Sequence, residues 1–126
     1  MIQLEYFDYD KTTLAVTSDG VSYSIGVLSG MSIEFMRAAS LFDKQVEAAK
    51  AQNIPLVDVV EIGEVKTEEP NEQYKLLNSH LSKAIIFDWP FDEDIIDVLT
   101  KNQALCNAIQ TKAHELAKEY AKKKTS

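Results

Sequence analysis

The sequence predicts an α+β fold: an N-terminal β-hairpin or small antiparallel sheet, then about four helices that make the C-terminal half mainly helical. Three observations carry this reading. Within residues 1–30, apolar and polar positions alternate with a period near two, around an Asp-Gly pair. Beyond Ser32 the apolar positions recur at three- and four-residue spacing, the period of an amphipathic helix. A chain of 126 residues is one domain by default, 1–126, and is long enough to bury a core. Within it, 1–30 is β-rich, 31–126 mainly helical and 122–126 a frayed tail.

The elements follow in order. Ile2–Phe7 and Thr13–Thr17 alternate as strands. Ser18-Asp19-Gly20 is a turn, because Asp-Gly supplies the positive φ of a tight hairpin. Val21, Tyr23, Ile25 and Val27 then share one strand face. Ser32 is placed to cap a helix from Ile33 to Gln52, with Glu34 in its first turn and Phe35, Ala39, Phe42, Val46 and Ala49 as its apolar stripe. Asn53 and Pro55 end it. Leu56–Ile62 is a strand or a short helix, and Glu64–Pro70 is polar and loop-like. From Asn71 a helical stripe runs through Tyr74, Leu77, Leu81 and Ile85 and stops before Pro90, since a residue preceding proline avoids the α region. Asp92 is expected to cap a short helix, with Phe91 and Ile96 spaced as a hydrophobic staple. Asn102 can cap a last helix to about Ala121, whose stripe is Leu105, Ile109, Ala113, Leu116 and Tyr120. Glu119 and Lys123 form a favourable i,i+4 pair on it.

Composition narrows the function. Apolar residues make up 45% and charged residues 26%, ordinary for a globular protein. The one cysteine, Cys106, fits a reducing compartment and reads as a small buried hydrophobe. Met1–Glu5 has no basic region leading into an apolar stretch, and no apolar run approaches ~20 residues, so a cytoplasmic location and no membrane contact are expected. The net charge is −7, and residues 1–64 hold 10 acids against 4 bases. Arg37 is the one arginine, and the basic run Lys122–Lys124 stands at the frayed end. Direct nucleic-acid binding is not expected, whereas a protein partner with a basic face suits this balance.

Asp88, Asp92, Glu93, Asp94 and Asp97 carry oxygen ligands but lack calcium-loop spacing, and helix capping accounts for Asp92 to Asp94 without a metal. His80 and His114 each stand alone, without a ligand three or four residues away. The four glycines form no phosphate loop, and no nucleophile elbow is present. No catalytic residue, metal or cofactor is therefore expected. Trp89 and Phe91 carry two readings that the sequence leaves open: a core anchor between helices, or part of a partner groove, since aromatic anchors dominate interfaces.

The organisation of residues 72–117 resembles a known family. A helix leads into Phe87-Asp88-Trp89, and a short acidic-capped helix ends at Leu99. Then comes Asn102-Gln103-Ala104-Leu105-Cys106-Asn107-Ala108-Ile109, with a long helix through Ala113 and Leu116. Val21–Ile25 followed by Leu28-Ser29 precedes the first long helix. This order is similar to the tail assembly chaperones of tailed bacteriophages, over about two thirds of the chain. The second helix and the segment Leu56–Ile62 have no clear counterpart there. The resemblance implies a non-enzymatic cytoplasmic factor of a bacterial host. It implies partners too: the tape-measure protein and tail-tube subunits, with a homo-oligomer also compatible. The alternatives are a structural tail or neck protein of a phage and an acidic inhibitor of a nucleic-acid-binding enzyme.

Overall fold

The structure, a computed structural model, describes residues 11–125, with side chains through 122. The expected strand at Ile2–Phe7 and the Glu119–Lys123 pair lie outside that description. The architecture is α+β. Strands β1 (Lys11–Ser18) and β2 (Val21–Leu28) precede helix α1 (Ile33–Ala51); β3 (Val57–Ile62) and β4 (Val65–Pro70) follow; then come α2 (Glu72–Lys83), β5 (Ile86–Asp88), α3 (Ile95–Lys101) and α4 (Gln103–Thr125). Strands β1, β2 and β5 form one antiparallel sheet in that order, and β3–β4 form a separate two-stranded ribbon.

The first hairpin forms as its residues dictate. Asp19 and Gly20 both have positive φ, 51° and 78°, matching the right-handed twist of the flanking strands. Pairing runs from Ser18 opposite Val21 to Lys11 opposite Leu28. That register places Leu14 and Val16 on the face shared with Tyr23, Ile25 and Val27. Helices cover this face. The core joins Ile25, Val27, Ile85, Leu99, Cys106, Ile109 and Ala113, all fully buried. The apolar stripes read from the sequence for α1, α2 and α4 are the faces that turn inward.

Helix α1 begins with the Ser32 hydroxyl accepting from Phe35 N–H at 3.2 Å. It ends in a Schellman arrangement: Asn53, at φ 57°, sends its N–H to Lys50 O, and Ile54 N–H reaches back to Ala49 O. Helix α2 is capped by Asn71, whose Oδ1 accepts from Tyr74 N–H at 3.1 Å. The same side chain ties the ribbon to the body, because its Nδ2 donates to Pro55 O at 2.7 Å while its backbone N–H donates to Leu56 O. Asn71→Ala is therefore expected to cost about 1–2 kcal/mol. Asn71→Asp keeps the cap and loses only the Pro55 bond. Amide exchange across residues 57–70 separates the two effects, rising in both variants while global stability falls chiefly in the first.

Four expectations are corrected. Glu64–Pro70 is a strand, not a loop. Gly63 at φ 64° turns the chain in two residues, and Leu56–Ile62 pairs with it as a strand from Val57 onward. The helix from Asn71 ends at Lys83 instead of continuing toward Pro90. The edge of β2 offers unpaired backbone groups, and the β-branched Ile86 with Phe87 takes them, with Leu28 N–H donating to Ile85 O at 2.7 Å. The short helix is capped by Asp94, which accepts from Asp97 N–H at 3.2 Å, and not by Asp92. Phe91 consequently lies too far upstream of the helix for a staple with Ile96. Finally, the Asn102 side chain closes α3 rather than capping α4. Its Nδ2 donates to Val98 O at 2.9 Å, and only its backbone carbonyl serves the first turn of α4, through Cys106 N–H.

Candidate partner-binding groove at the Trp89 corner

Strand β5 delivers the chain to the corner Trp89-Pro90-Phe91. Trp89 is half-buried, and its indole Nε1 donates to Glu93 O at 3.0 Å, pinning the loop that leads into α3. This bond accounts for the late start of α3, because Glu93 is held in the loop and Asp94 becomes the first residue free to cap. Phe91 packs between two aromatic neighbours, at 5.1 Å from the Trp89 ring and 4.9 Å from that of Tyr23. Both arrangements are tilted or edge-on, the favourable geometry for aromatic pairs.

The two residues left open by the sequence occupy different places. Trp89 packs against the core and holds the corner. Phe91 also lines an open groove of about 560 Å³ between the β1–β2 turn and the helices α3 and α4. Val16, Phe91, Val98 and Leu105 make it apolar; Thr17, Ser18, Glu93 and Asn102 supply polar groups. A second hollow shares Glu93, Val98 and Asn102 and continues past Asp94, Asp97 and Lys101. Of the acidic cluster read from the sequence, Glu93, Asp94 and Asp97 thus form an exposed rim beside an apolar groove, while Asp88, on β5, and Asp92 do not line it. Among the described residues, no three His, Cys, Asp or Glu side chains converge as metal ligands.

Elsewhere the polar side chains hold the fold. Ser79, Ser82 and Asn78 are buried on the face of α2 that meets α4. Gln110 Nε2 donates to Asn78 Oδ1 at 2.8 Å and to Ser82 Oγ at 2.9 Å, while Asn78 Nδ2 donates to Gln103 Oε1 and Asn107 Oδ1. Every buried side-chain nitrogen and oxygen among the described residues has a partner. Such a seam fixes the register of two helices, since sliding either one would orphan several groups at once. The sequence read α2 and α4 only through their apolar stripes, and this seam was missed. Its signal was the set of small and amide side chains Asn78, Ser79, Ser82, Gln103, Asn107 and Gln110 on the same two helices.

Cys106 belongs to that seam, with its Sγ 3.0 Å from Ser82 Oγ and 3.3 Å from Asn78 O. Burial pushes its thiol above the ordinary value and outweighs the hydrogen bonds from Ser82, Gln110 and Ser79 that act the other way. The folded protein therefore holds the thiol proton to higher pH than the unfolded chain does. That contribution to stability is complete below the unfolded thiol's pKa and is lost as pH rises through the folded one. At neutral pH Cys106 is expected to resist a thiol reagent such as DTNB in the native state and to react at once in denaturant. Fast native labelling would contradict its burial.

The two histidines stay apart in role. His80 is exposed beside a shallow groove between α1 and α2, and the His114 ring meets Phe35 edge-on at 5.2 Å. No helix among the described residues is long and apolar enough to cross a membrane. In comparisons with known proteins, the chain matches no family model, no curated protein and no solved structure.

Proposed function

We propose that this protein is a non-enzymatic tail assembly chaperone of a tailed bacteriophage, which binds the tape-measure protein and promotes assembly of the tail tube in the host cytoplasm. The observation that carries the reading is the groove beside Phe91: apolar along Val16, Val98 and Leu105, with carboxylates at Glu93, Asp94 and Asp97 on its rim. A helix with an apolar stripe and a basic flank suits such a groove, the common mode by which an amphipathic helix is held. A long helical client that exposes apolar stripes before assembly needs such a surface to stay soluble. The resemblance in residues 72–117 supplies the identity of that client.

The test places charge in the groove without touching the core. Val98→Glu is expected to leave folding intact and to weaken binding of a tape-measure segment at least about tenfold, the effect of an unpaired charge at an apolar contact. Titration calorimetry with that segment reads it. Unchanged affinity would show that the client binds elsewhere or not at all.

A further inference from the structure

We propose that the β3–β4 ribbon is a second docking surface, for a protein segment that presents a lysine or arginine about 13 Å from an apolar side chain along one extended face. It lies apart from the groove beside Phe91 and does not depend on the function proposed above.

Three features of the ribbon point there. It stands out from the body: all its residues are exposed except Val60, which is half-buried between the cross-strand pairs Asp58–Glu69 and Ile62–Val65, and on that same face Ile62 and Val65 are 71% and 62% exposed. A two-stranded ribbon held to the body only at its base gains little from its own pairing, so the uncovered Ile62–Val65 pair is apolar surface that a partner can bury. Second, its charge is strongly one-sided. Asp58, Glu61, Glu64, Glu68 and Glu69 face a single ammonium, Lys66, giving −4 of the chain's −7.

Third, the register sets charges against one another. Asp58 lies directly opposite Glu69, and on the same face Ile62 lies opposite Val65. Like charges directly across a strand pair destabilise it. Carboxylates on exposed strands do discourage unwanted edge pairing. That purpose is met by charges anywhere along the ribbon, and it explains neither two carboxylates on one cross-strand pair nor an uncovered apolar pair four residues away. A cation seated between Asp58 and Glu69, with an apolar side chain on Ile62 and Val65, satisfies both. A second copy docking ribbon to ribbon would set −4 against −4, and the chain as a whole carries −7, so a different, basic protein segment is the better occupant.

The test uses a threonine-rich octapeptide with lysine at its second position and isoleucine at its sixth, so that both fall on one face when extended. Amide shifts in the full chain are expected to move at residues 57–70 on titration. Replacing the peptide's lysine by glutamate, or its isoleucine by threonine, is expected to weaken binding by about threefold or more, as for an exposed ion pair or a small apolar contact. Asp58→Asn carries the second readout: it removes the like-charge pair, so amide exchange in the ribbon slows while peptide affinity falls. Shifts confined to the groove, no shifts at millimolar peptide, equal binding of the control peptides, or Asp58→Asn leaving affinity unchanged would each overturn the proposal. So would a dimer of the chain abolished by Ile62→Lys. Loss of tape-measure binding in Val98→Glu tests the groove alone, so the two readings fail separately.

Discussion

Gly26→Ala is expected to strip β5 from the sheet and to destabilise the protein by about 3 kcal/mol, an overpacking penalty at the upper end of its usual range. Gly26 is buried on β2 and pairs with Asp88 at a register shift in the sheet. A Cβ there would lie 2.7 Å from the Phe87 ring atoms Cε2 and Cζ, and 2.8 Å from Asp88 Cβ. The Phe87 ring, 46% exposed with the Lys11 ammonium 5.3 Å from its centroid, has room to swing aside. Asp88 Cβ moves only with its backbone, so the three-residue strand must yield. The consequence reaches the site, because β5 is what delivers Trp89 to the corner. The variant is expected to show red-shifted tryptophan emission before global unfolding, together with a lower urea midpoint. Native emission and a midpoint within about 0.5 kcal/mol of the parent would show that β5 accommodates the methyl.

Ile109→Ala is expected to cost about 4 kcal/mol, near the upper part of the range for truncating a fully buried aliphatic side chain. Ile109 is completely buried on α4, within the cluster that joins the sheet residues Ile25 and Val27 to Ile85 and Leu99. The neighbouring polar seam resists collapse into the cavity, since moving α4 toward α2 would break the bonds of Gln110 to Asn78 and Ser82. A small domain with total stability of about 5–15 kcal/mol would lose a large share of it. The matched control is Val59→Ala on the exposed ribbon, expected to change stability by about 0.5 kcal/mol or less. Urea unfolding with unchanged slope reads both. A loss below about 1.5 kcal/mol at Ile109 would show that the core repacks freely.

The elements legible in the sequence were those whose local chemistry and tertiary environment agree. Asp19-Gly20, Ser32 and Asn53 each form the turn, cap or helix end that their side chain or backbone favours, and the helical period returns at Asn71 as read. The stripes of α1 and α4 face inward because each spans several turns, enough to define one face. The misses have physical causes. β4, Val-Lys-Thr-Glu-Glu-Pro, has no buried face, so no period-two pattern marks it. Its one local signal was Gly63, placed to turn the chain between β-branched residues. β5 is three residues long, and its strand state depends on the free edge of β2, which no local pattern reveals. Asp94 prevailed over Asp92 because the Trp89 indole holds Glu93 in the loop, a contact across four residues that spacing rules do not include. The groove at Phe91 was half legible. The aromatic pair stood out, but its apolar partners Val16 and Leu105 come from distant parts of the chain, and only the fold brings them together.

Whether this chain is a chaperone for a tape-measure protein is decided by co-expression. The tagged chain is produced with a tape-measure protein expected to be encoded beside its gene, and the soluble material recovered on the tag is quantified. A soluble complex containing the tape-measure protein is expected, reduced at least about tenfold by Val98→Glu. A client that stays insoluble and is not enriched on the tag, or a gene with no tape-measure protein in its neighbourhood, would contradict it.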